Sequence, residues 1–194
     1  VLNSTGGSSL QLFRSGGVGN FTGFSIHHNV LDSCAKYGVN FDSSVESADV
    51  YNNIILNSGW SSFRINDPYT GAVINFTYNT CYTNIAQANA FMFYKNGGNL
   101  TSGTYTVMHN IWAFGGSASA STDYTNFSAA DTNLTMAKNL YHDAAGVKIT
   151  VPAKDTTGIY GNPNFTSPST KDFTCLTGGA GLNAATGTDP ITVS

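Results

Sequence analysis

The sequence predicts an all-β protein built as a parallel β-helix, in which short strands stack as successive coils of one solenoid. Two observations favour this fold class. Only 10% of the 194 residues are charged, and Gly, Asn, Ser and Thr replace most of the usual Lys and Glu. These four residue types are weak helix formers, so the composition favours short strands joined by turns. In addition, one short pattern that ends in Asn recurs five times, about every 24 to 31 residues, as expected for stacked repeats.

The repeated pattern is an alternating strand followed by an asparagine. In the first repeat, apolar Phe24 and Ile26 flank Ser25, and Asn29 follows three residues later. This period of two places the apolar side chains inside the coil and the polar one outside. Stacking then aligns the asparagines at one bend, where their amides bond to one another as a ladder. The predicted ladder consists of Asn29, Asn53, Asn79, Asn110 and Asn139.

The segments between the asparagines supply the other strands. Leu10, Leu12 and Phe13 predict a first strand, because a Gly-rich turn follows them. The stretch Ala113–Thr132 is rich in Ala, Ser and Gly, and it predicts a loop outside the stack that is mobile at 117–122. A second strand in several coils is predicted at Tyr37–Phe41, Ser62–Asn66, Ala90–Tyr94 and Val147–Val151.

The domain organisation follows from the repeats. We predict about five to six coils over residues 1–157, a C-terminal cap over 158–187 that covers the last coil, and a tail or linker over 188–194. The chain opens without Met and shows no signal peptide, in what reads as mid-domain sequence. We therefore expect an N-terminally truncated or processed piece of a longer protein.

Two groups of motifs carry a resemblance to a known family. The repeats read Ile-His-His-Asn-Val at 26–30 and Val-Tyr-Asn-Asn-Ile at 50–54, and Gly-Asn-Pro-Asn-Phe at 161–165 precedes Lys-Asp-Phe at 171–173. Over 21 to about 151 the chain resembles the right-handed parallel β-helix proteins of the pectate-lyase-like superfamily, and its end resembles the closing segment of secreted bacterial members. It departs from them in having Asn162 where Asp is usual. The resemblance implies a right-handed coil, an extracellular or cell-surface location and a polysaccharide or glycan partner.

Composition and cysteine spacing disfavour several other classes of function. The net charge is −3 and no run of Lys and Arg occurs, so nucleic acid is not an expected partner. No apolar run approaches the roughly 20 residues that span a bilayer. Cys34, Cys81 and Cys175 form no CxxC pair, so we expect no metal and no cofactor. One disulfide with a free thiol, or three buried thiols, both fit the count. Because Cys34 and Cys81 fall two coils apart, roughly 10 Å, we expect mostly free, buried thiols.

Known enzymes of the superfamily are polysaccharide lyases, hydrolases and uronate epimerases, and each requires particular groups. Hydrolysis of a glycosidic bond needs two carboxyls about 5 to 10 Å apart. Calcium-dependent lyases need several carboxylates around the cation. Asp32, Asp42, Asp49 and Asp67 do not share a column of the stack, and the motifs of polygalacturonases and alginate epimerases are missing. The sequence therefore favours neither hydrolysis of a glycosidic bond nor calcium-dependent elimination.

A metal-free β-elimination needs only a base and a cation that neutralises the uronate. The column directly before the ladder places Tyr78, His109 and Lys138 on successive coils, and we predict these three as the catalytic candidates. The candidate glycan-binding residues are His28, Tyr51, Asn52 and Arg64, because rings stack on sugars and amides bond hydroxyls.

Three functions remain open from the sequence. The favoured one is a non-catalytic module that contacts carbohydrate or builds an assembly. The alternatives are a polysaccharide lyase or uronate epimerase domain, and a fibre or spike segment that self-associates through an open first coil.

Seven Asn-X-Ser/Thr sites would make the protein a glycoprotein in a host that modifies them. They are Asn3, Asn20, Asn75, Asn99, Asn126, Asn133 and Asn164.

Overall fold

The computed structural model describes residues 2–3, 7–12, 20–42, 44–66, 69–85, 91–116 and 123–180. Over these ranges the chain is all-β, with 3% helix, and its parallel sheets stack as a β-solenoid of about four turns. This confirms the predicted fold class, although the turns are fewer than the five to six coils predicted.

The structure contains nineteen strands in the described residues, and a 3-10 helix at Pro168–Thr170 lies between the last two. The strands in chain order are β1 (Leu2–Asn3), β2 (Leu10–Leu12), β3 (Phe24–His27), β4 (Val30–Asp32), β5 (Tyr37–Phe41), β6 (Ser47–Tyr51), β7 (Ile54–Leu56), β8 (Ser61–Asn66), β9 (Val73–Thr77), β10 (Thr80–Thr83), β11 (Phe91–Asn96), β12 (Thr104–Met108), β13 (Ile111–Phe114), β14 (Asp123–Thr125), β15 (Leu134–Ala137), β16 (Leu140–Asp143), β17 (Ile159–Tyr160), β18 (Phe165–Ser167) and β19 (Asp172–Cys175).

Three parallel sheets form the walls of the solenoid. The first sheet contains β1, β4, β7, β10, β13, β16 and β17, the second contains β2, β5, β8, β11 and β14, and the third contains β3, β6, β9, β12 and β15. A full turn runs through the third, first and second sheets in that order. In the third sheet, Ile26, Val50 and Phe76 are register partners and are all buried. The polar partners Ser25 and Asp49 face outward, as the alternation predicts.

Aromatic rings fill the interior where the three sheets meet. Phe63 and Phe76 stack with their centroids 4.5 Å apart, and Phe93 packs edge-on to Phe63 at the same distance. Trp112 stacks on Phe76 at 5.5 Å and is fully buried. Because these rings come from all three sheets, they tie the walls together as well as joining successive turns.

The five repeated asparagines are joined by hydrogen bonds along the solenoid. The backbone N–H and the Nδ2 of Asn53 both donate to Oδ1 of Asn79, at 3.0 and 2.9 Å. Nδ2 of Asn53 also donates to the carbonyl of Ile26 one turn earlier and to the carbonyl of Tyr51. The same bonds between neighbouring amides recur from Asn29 to Asn139.

Asp155 ends this column of amides. Its Oδ2 accepts Nδ2 of Asn139 at 2.7 Å and the phenol of Tyr141 at 2.9 Å. Asp155 is 2% exposed, and it occupies the position that a sixth asparagine would take. The sequence pattern gave no sign of this residue, because Asp155 lies only 16 residues after Asn139.

Two of the predicted segments differ in the structure. Val147–Val151 does not form a strand, because the carboxylate of Asp143 accepts the backbone N–H groups of Val147 and Lys148 at 2.9 and 2.7 Å. Ala113–Thr132 is not a single loop, because it includes the end of β13 and all of β14. Tyr124 holds β14 in the stack by packing on Phe114 at 4.9 Å. Phe13 and residues 117–122 lie outside the described residues.

A buried ion pair ties the end of β11 to the segment before β15. Nζ of Lys95 lies 2.7 Å from Oδ1 of Asp131, whose side chain is 0% exposed. The backbone N–H groups of Leu100 and Ser128 also donate to this carboxylate. Burial raises the pKa of Asp131, but these hydrogen bonds outweigh it, so the pKa is lowered. The ionised pair fixes the turn that leads from the second sheet to the third.

The segment predicted as a cap has two parts. Ile159–Tyr160 adds β17 to the end of the first sheet, whereas β18 and β19 form an antiparallel hairpin. This hairpin lies on the outer face of the first sheet. There the ring centroids of Phe173 and Tyr82 are 5.3 Å apart, and Nζ of Lys171 lies 2.6 Å from Oδ2 of Asp32. Residues 181–187 and the predicted tail lie outside the described residues. Within the described ranges no helix is long and apolar enough to cross a membrane.

Asn79→Ala should lower the free energy of unfolding by about 3 kcal/mol, because it removes the acceptor of the buried backbone N–H and Nδ2 of Asn53 and the amide that donates to Asn110 and to the carbonyl of Val50. Urea unfolding followed by circular dichroism measures this change. Asn75→Ala is the matched control, because Asn75 faces outward and donates only to Asp49, so its loss should be within about 0.5 kcal/mol. Equal effects of the two substitutions would show that the amide column does not stabilise the fold.

Candidate functional site

The residue before each repeated asparagine projects from a bend of the solenoid. His28, Asn52, Tyr78, His109 and Lys138 all have φ between 53° and 58°, in the left-handed region that few residues other than glycine adopt. At the first four positions the amide of the following asparagine holds this conformation. Nδ2 of Asn79, for example, donates to the carbonyl of Thr77 and so closes the backbone around Tyr78. None of the five side chains is buried, and we call this column the bend row.

The structure brings two of the three predicted catalytic residues into contact. The rings of Tyr78 and His109 are stacked with centroids 4.9 Å apart and an interplanar angle of 4°. Lys138 is exposed at the equivalent position of the next turn, where its backbone N–H donates to Thr157. Because each ring covers one face of the other, this part of the bend row presents ring edges to solvent.

The predicted binding residues divide between two places. Tyr51 stacks on His27 at 4.8 Å and packs edge-on to His28 at 6.2 Å, at the first two turns. Asn52 lies in the bend row between His28 and Tyr78. Arg64 does not belong to this row, because it lies on β8 in the second sheet.

Arg64 lies at the centre of a polar cluster that spans three turns. Its guanidinium carbon is 4.7 Å from the ring centroid of Tyr37, and its Nη2 donates to Oδ1 of Asn66 at 2.5 Å. The exposed ring of Trp60 packs edge-on to Tyr37 at 6.1 Å. The Arg64 cluster is defined here as Tyr37, Asp42, Trp60, Arg64, Asn66, Tyr94 and Asn96.

Asn66 links the polar members of this cluster. Its Nδ2 donates to Asp42, and its Oδ1 accepts Nδ2 of Asn96 at 2.5 Å. The phenol of Tyr94 donates to Oδ1 of Asn96 at 3.3 Å. These contacts arise because Asn66 and Asn96 are register partners on β8 and β11, as are Arg64 and Tyr94.

Two buried polar atoms beside the cluster have no hydrogen-bond partner among the described residues. They are Nε of Arg64 and Oδ1 of Asn40, which is 2% exposed and pairs in register with Arg64. Buried polar groups without partners are uncommon in folded proteins, and each calls for a specific reason. Their presence at neighbouring positions distinguishes the Arg64 cluster from the bend row.

Sequence reasoning found Arg64 but missed Trp60, Asn66, Tyr94 and Asn96. The missing signal was the register of the second sheet. The predicted strand Ala90–Tyr94 ends two residues before the observed end of β11 at Asn96, so Asn96 was not placed beside Asn66. With the observed register, the Asn66 and Asn96 side chains fall in one outward column.

Four of the candidate glycosylation sites use their amide nitrogens within the chain. The Nδ2 atoms of Asn20 and Asn75 each donate to the carboxylate of another residue, and those of Asn126 and Asn133 each donate to a backbone carbonyl. Asn99 and Asn164 are exposed, and the side chain of Asn3 is not described. Glycosylation of these sites stays a prediction.

A groove of about 480 Å³ lies away from both surfaces, at the C-terminal end of the third sheet. Its lining includes Phe127, Leu134, Met136 and Lys154. It contains no pair of groups suited to acid–base chemistry, so its size alone does not make it the candidate site.

Comparison with known proteins does not identify the chain. No protein-family profile matches it, and no curated protein and no solved structure is significantly similar to it. The class that the structure itself defines is a parallel β-solenoid.

The electrostatics of the Arg64 cluster can be tested at Tyr37. Burial raises the pKa of this phenol, Tyr94 and Asp42 raise it further, and Arg64 lowers it. Arg64→Gln should therefore raise the pKa of Tyr37, and Asp42→Asn should lower it. The measurement is the carbon chemical shift of labelled tyrosine rings through an alkaline titration.

The control for this titration is Tyr82, whose pKa is raised by burial alone and should not respond to either substitution. Shifts of the same sign in the two variants would contradict the arrangement of charges around Tyr37.

Proposed function

We propose that this chain is a non-catalytic module of a secreted or surface-exposed β-helix protein related to the pectate-lyase-like superfamily, and that it contacts carbohydrate through the Arg64 cluster. The observation that carries the proposal is the combination of an exposed tryptophan, an arginine and a linked row of amides on the outer side of one sheet.

Each part of the cluster suits a different part of a sugar. Trp60 is 53% exposed, and its large ring can pack on the apolar C–H face of a pyranose. Asn66 and Asn96 offer amide groups to hydroxyls, and Asp42 offers a carboxylate. Arg64 can pair with a carboxylate or sulfate on the sugar through its planar guanidinium.

The spacing of the cluster favours an extended ligand. Asp42, Asn66 and Asn96 come from three successive turns, and strands in a sheet lie roughly 4.8 Å apart, so the amide row extends roughly 10 Å along the solenoid. A rigid stack holds these groups in place before binding, which reduces the entropy lost when an oligosaccharide is bound.

Binding to a panel of acidic and neutral oligosaccharides, measured by calorimetry, tests this proposal. Trp60→Ala should weaken binding about tenfold or more, because the exposed ring supplies the apolar contact. Arg64→Gln should weaken binding of acidic glycans only. Ile149→Ala is the matched control, because Ile149 is a comparably exposed apolar side chain outside the cluster.

Two results would count against the carbohydrate proposal. One is that no glycan of the panel binds. The other is that binding survives both Trp60→Ala and Arg64→Gln unchanged, which would place the contact elsewhere on the molecule.

A second candidate function is removal of the C5 proton of a uronate, with Tyr78 or His109 as the base and Lys138 beside the uronate carboxylate. A lyase would then expel the C4 oxygen by β-elimination, and an epimerase would return a proton to the opposite face. The contact of the Tyr78 and His109 rings favours this function, because it places two candidate bases at one bend. Lyase activity on uronate polymers produces unsaturated ends that absorb in the ultraviolet, and epimerase activity exchanges the C5 proton with deuterium from the solvent. Either signal, lost in both Tyr78→Phe and His109→Gln, would support this function, and the absence of both signals with every polymer would contradict it.

Contacts at the C-terminal end of the solenoid disfavour the fibre or spike alternative. End-to-end stacking needs an open amide column and open sheet edges at both ends. Asp155 closes the column at its C-terminal end, and β17 extends the first sheet there.

A further inference from the structure

Two histidines converge at the first described bend. Nδ1 of His27 and Nδ1 of His28 are 2.7 Å apart, and the rings are nearly perpendicular at 89°. Both side chains are exposed. Neither residue has a role in the Arg64 cluster, so the pair is independent of the carbohydrate proposal.

The fold produces this convergence through the backbone. His27 is the last residue of β3, where side chains of successive residues normally point to opposite faces. His28 has φ 56°, and this left-handed turn brings its ring back to the same side as His27. Tyr51 on the next turn stacks on the His27 ring at 4.8 Å and limits its rotation.

The two nitrogens share one proton in a hydrogen bond of 2.7 Å, and a metal ion that replaced this proton would take both as ligands. With metal–nitrogen bonds of about 2.0 to 2.1 Å, two tetrahedral ligands lie about 3.3 Å apart, and two adjacent ligands in a square plane about 2.9 Å apart. Both separations exceed the observed 2.7 Å, and the square-planar arrangement requires the smaller movement of the two rings. Square-planar or tetragonal nitrogen coordination is typical of Cu²⁺ and Ni²⁺, and Cu²⁺ binds nitrogen ligands most tightly among the divalent first-row metals.

We propose that His27 and His28 form a two-nitrogen site for a square-planar divalent metal ion, Cu²⁺ in the first place, with water completing the coordination. The described residues contain no group of three or more His, Cys, Asp and Glu side chains that could hold a metal. The site is therefore open on its solvent side, and a bound ion can exchange ligands there.

Calorimetric titration of metal-free protein with CuCl₂ tests the site, together with electron paramagnetic resonance of the bound ion. One equivalent should bind, and the spectrum should show a tetragonal Cu²⁺ coupled to two imidazole nitrogens. His27→Gln and His28→Asn should each weaken binding by about tenfold or more and leave one coupled nitrogen. Asn is chosen at position 28 because Asn52 occupies the equivalent bend on the next turn with φ 53°.

His109→Gln is the matched control, because His109 lies in the same bend row but two turns beyond Asn52. It should bind Cu²⁺ as the wild type does. The proposal is wrong if the wild type shows no stoichiometric binding, if both substitutions at the pair leave the affinity unchanged, or if His109→Gln alone removes it. Thermal unfolding of the metal-free variants should match the wild type, because both substituted side chains are exposed.

Discussion

The amide column at the bend fixes the register between successive turns, and this register decides which side chains of the third sheet face outward. The first four asparagines each donate forward to the next amide and backward to the carbonyl two residues before, as Asn79 does to Asn110 and Thr77. The first bond sets the register between turns, and the second holds the intervening residue in the left-handed conformation. A one-residue slip would move every side chain to the opposite face, so the column also protects the separation of core and surface.

The interior supports this register without specifying it. Phe63, Phe76 and Phe93 pack within 5.4 Å of one another, but rings of similar size could pack in more than one register. Buried polar contacts are less tolerant, because an unpaired group loses its hydrogen bonds. The amides and the Lys95–Asp131 pair therefore supply specificity, and the aromatic and aliphatic side chains of the core supply the apolar burial.

The third sheet could be predicted almost residue by residue, because the asparagines mark its register in the sequence. The second sheet could not, because no residue type recurs through all of its strands, and the predicted strand Ala90–Tyr94 stopped before Asn96, which pairs with Asn66. Asp155 escaped prediction for a related reason. It replaces an asparagine in space but follows a shorter connection, and only the hydrogen bonds to Asn139 and Tyr141 reveal its role. The Tyr78 and His109 contact was accessible from sequence because both adjoin ladder positions.

The two outward surfaces differ in which part of an aromatic ring they expose, and this difference limits what each can bind. In the bend row, Tyr78 and His109 stack along the solenoid axis, so each ring covers one face of the other and less of each face is accessible. Edges suit hydrogen bonds, proton transfer and metal ligation. In the Arg64 cluster, Trp60 meets Tyr37 edge-on and keeps most of its own ring accessible. A free ring face suits the C–H surface of a sugar, so the same repeat generates two chemically distinct surfaces from one backbone plan.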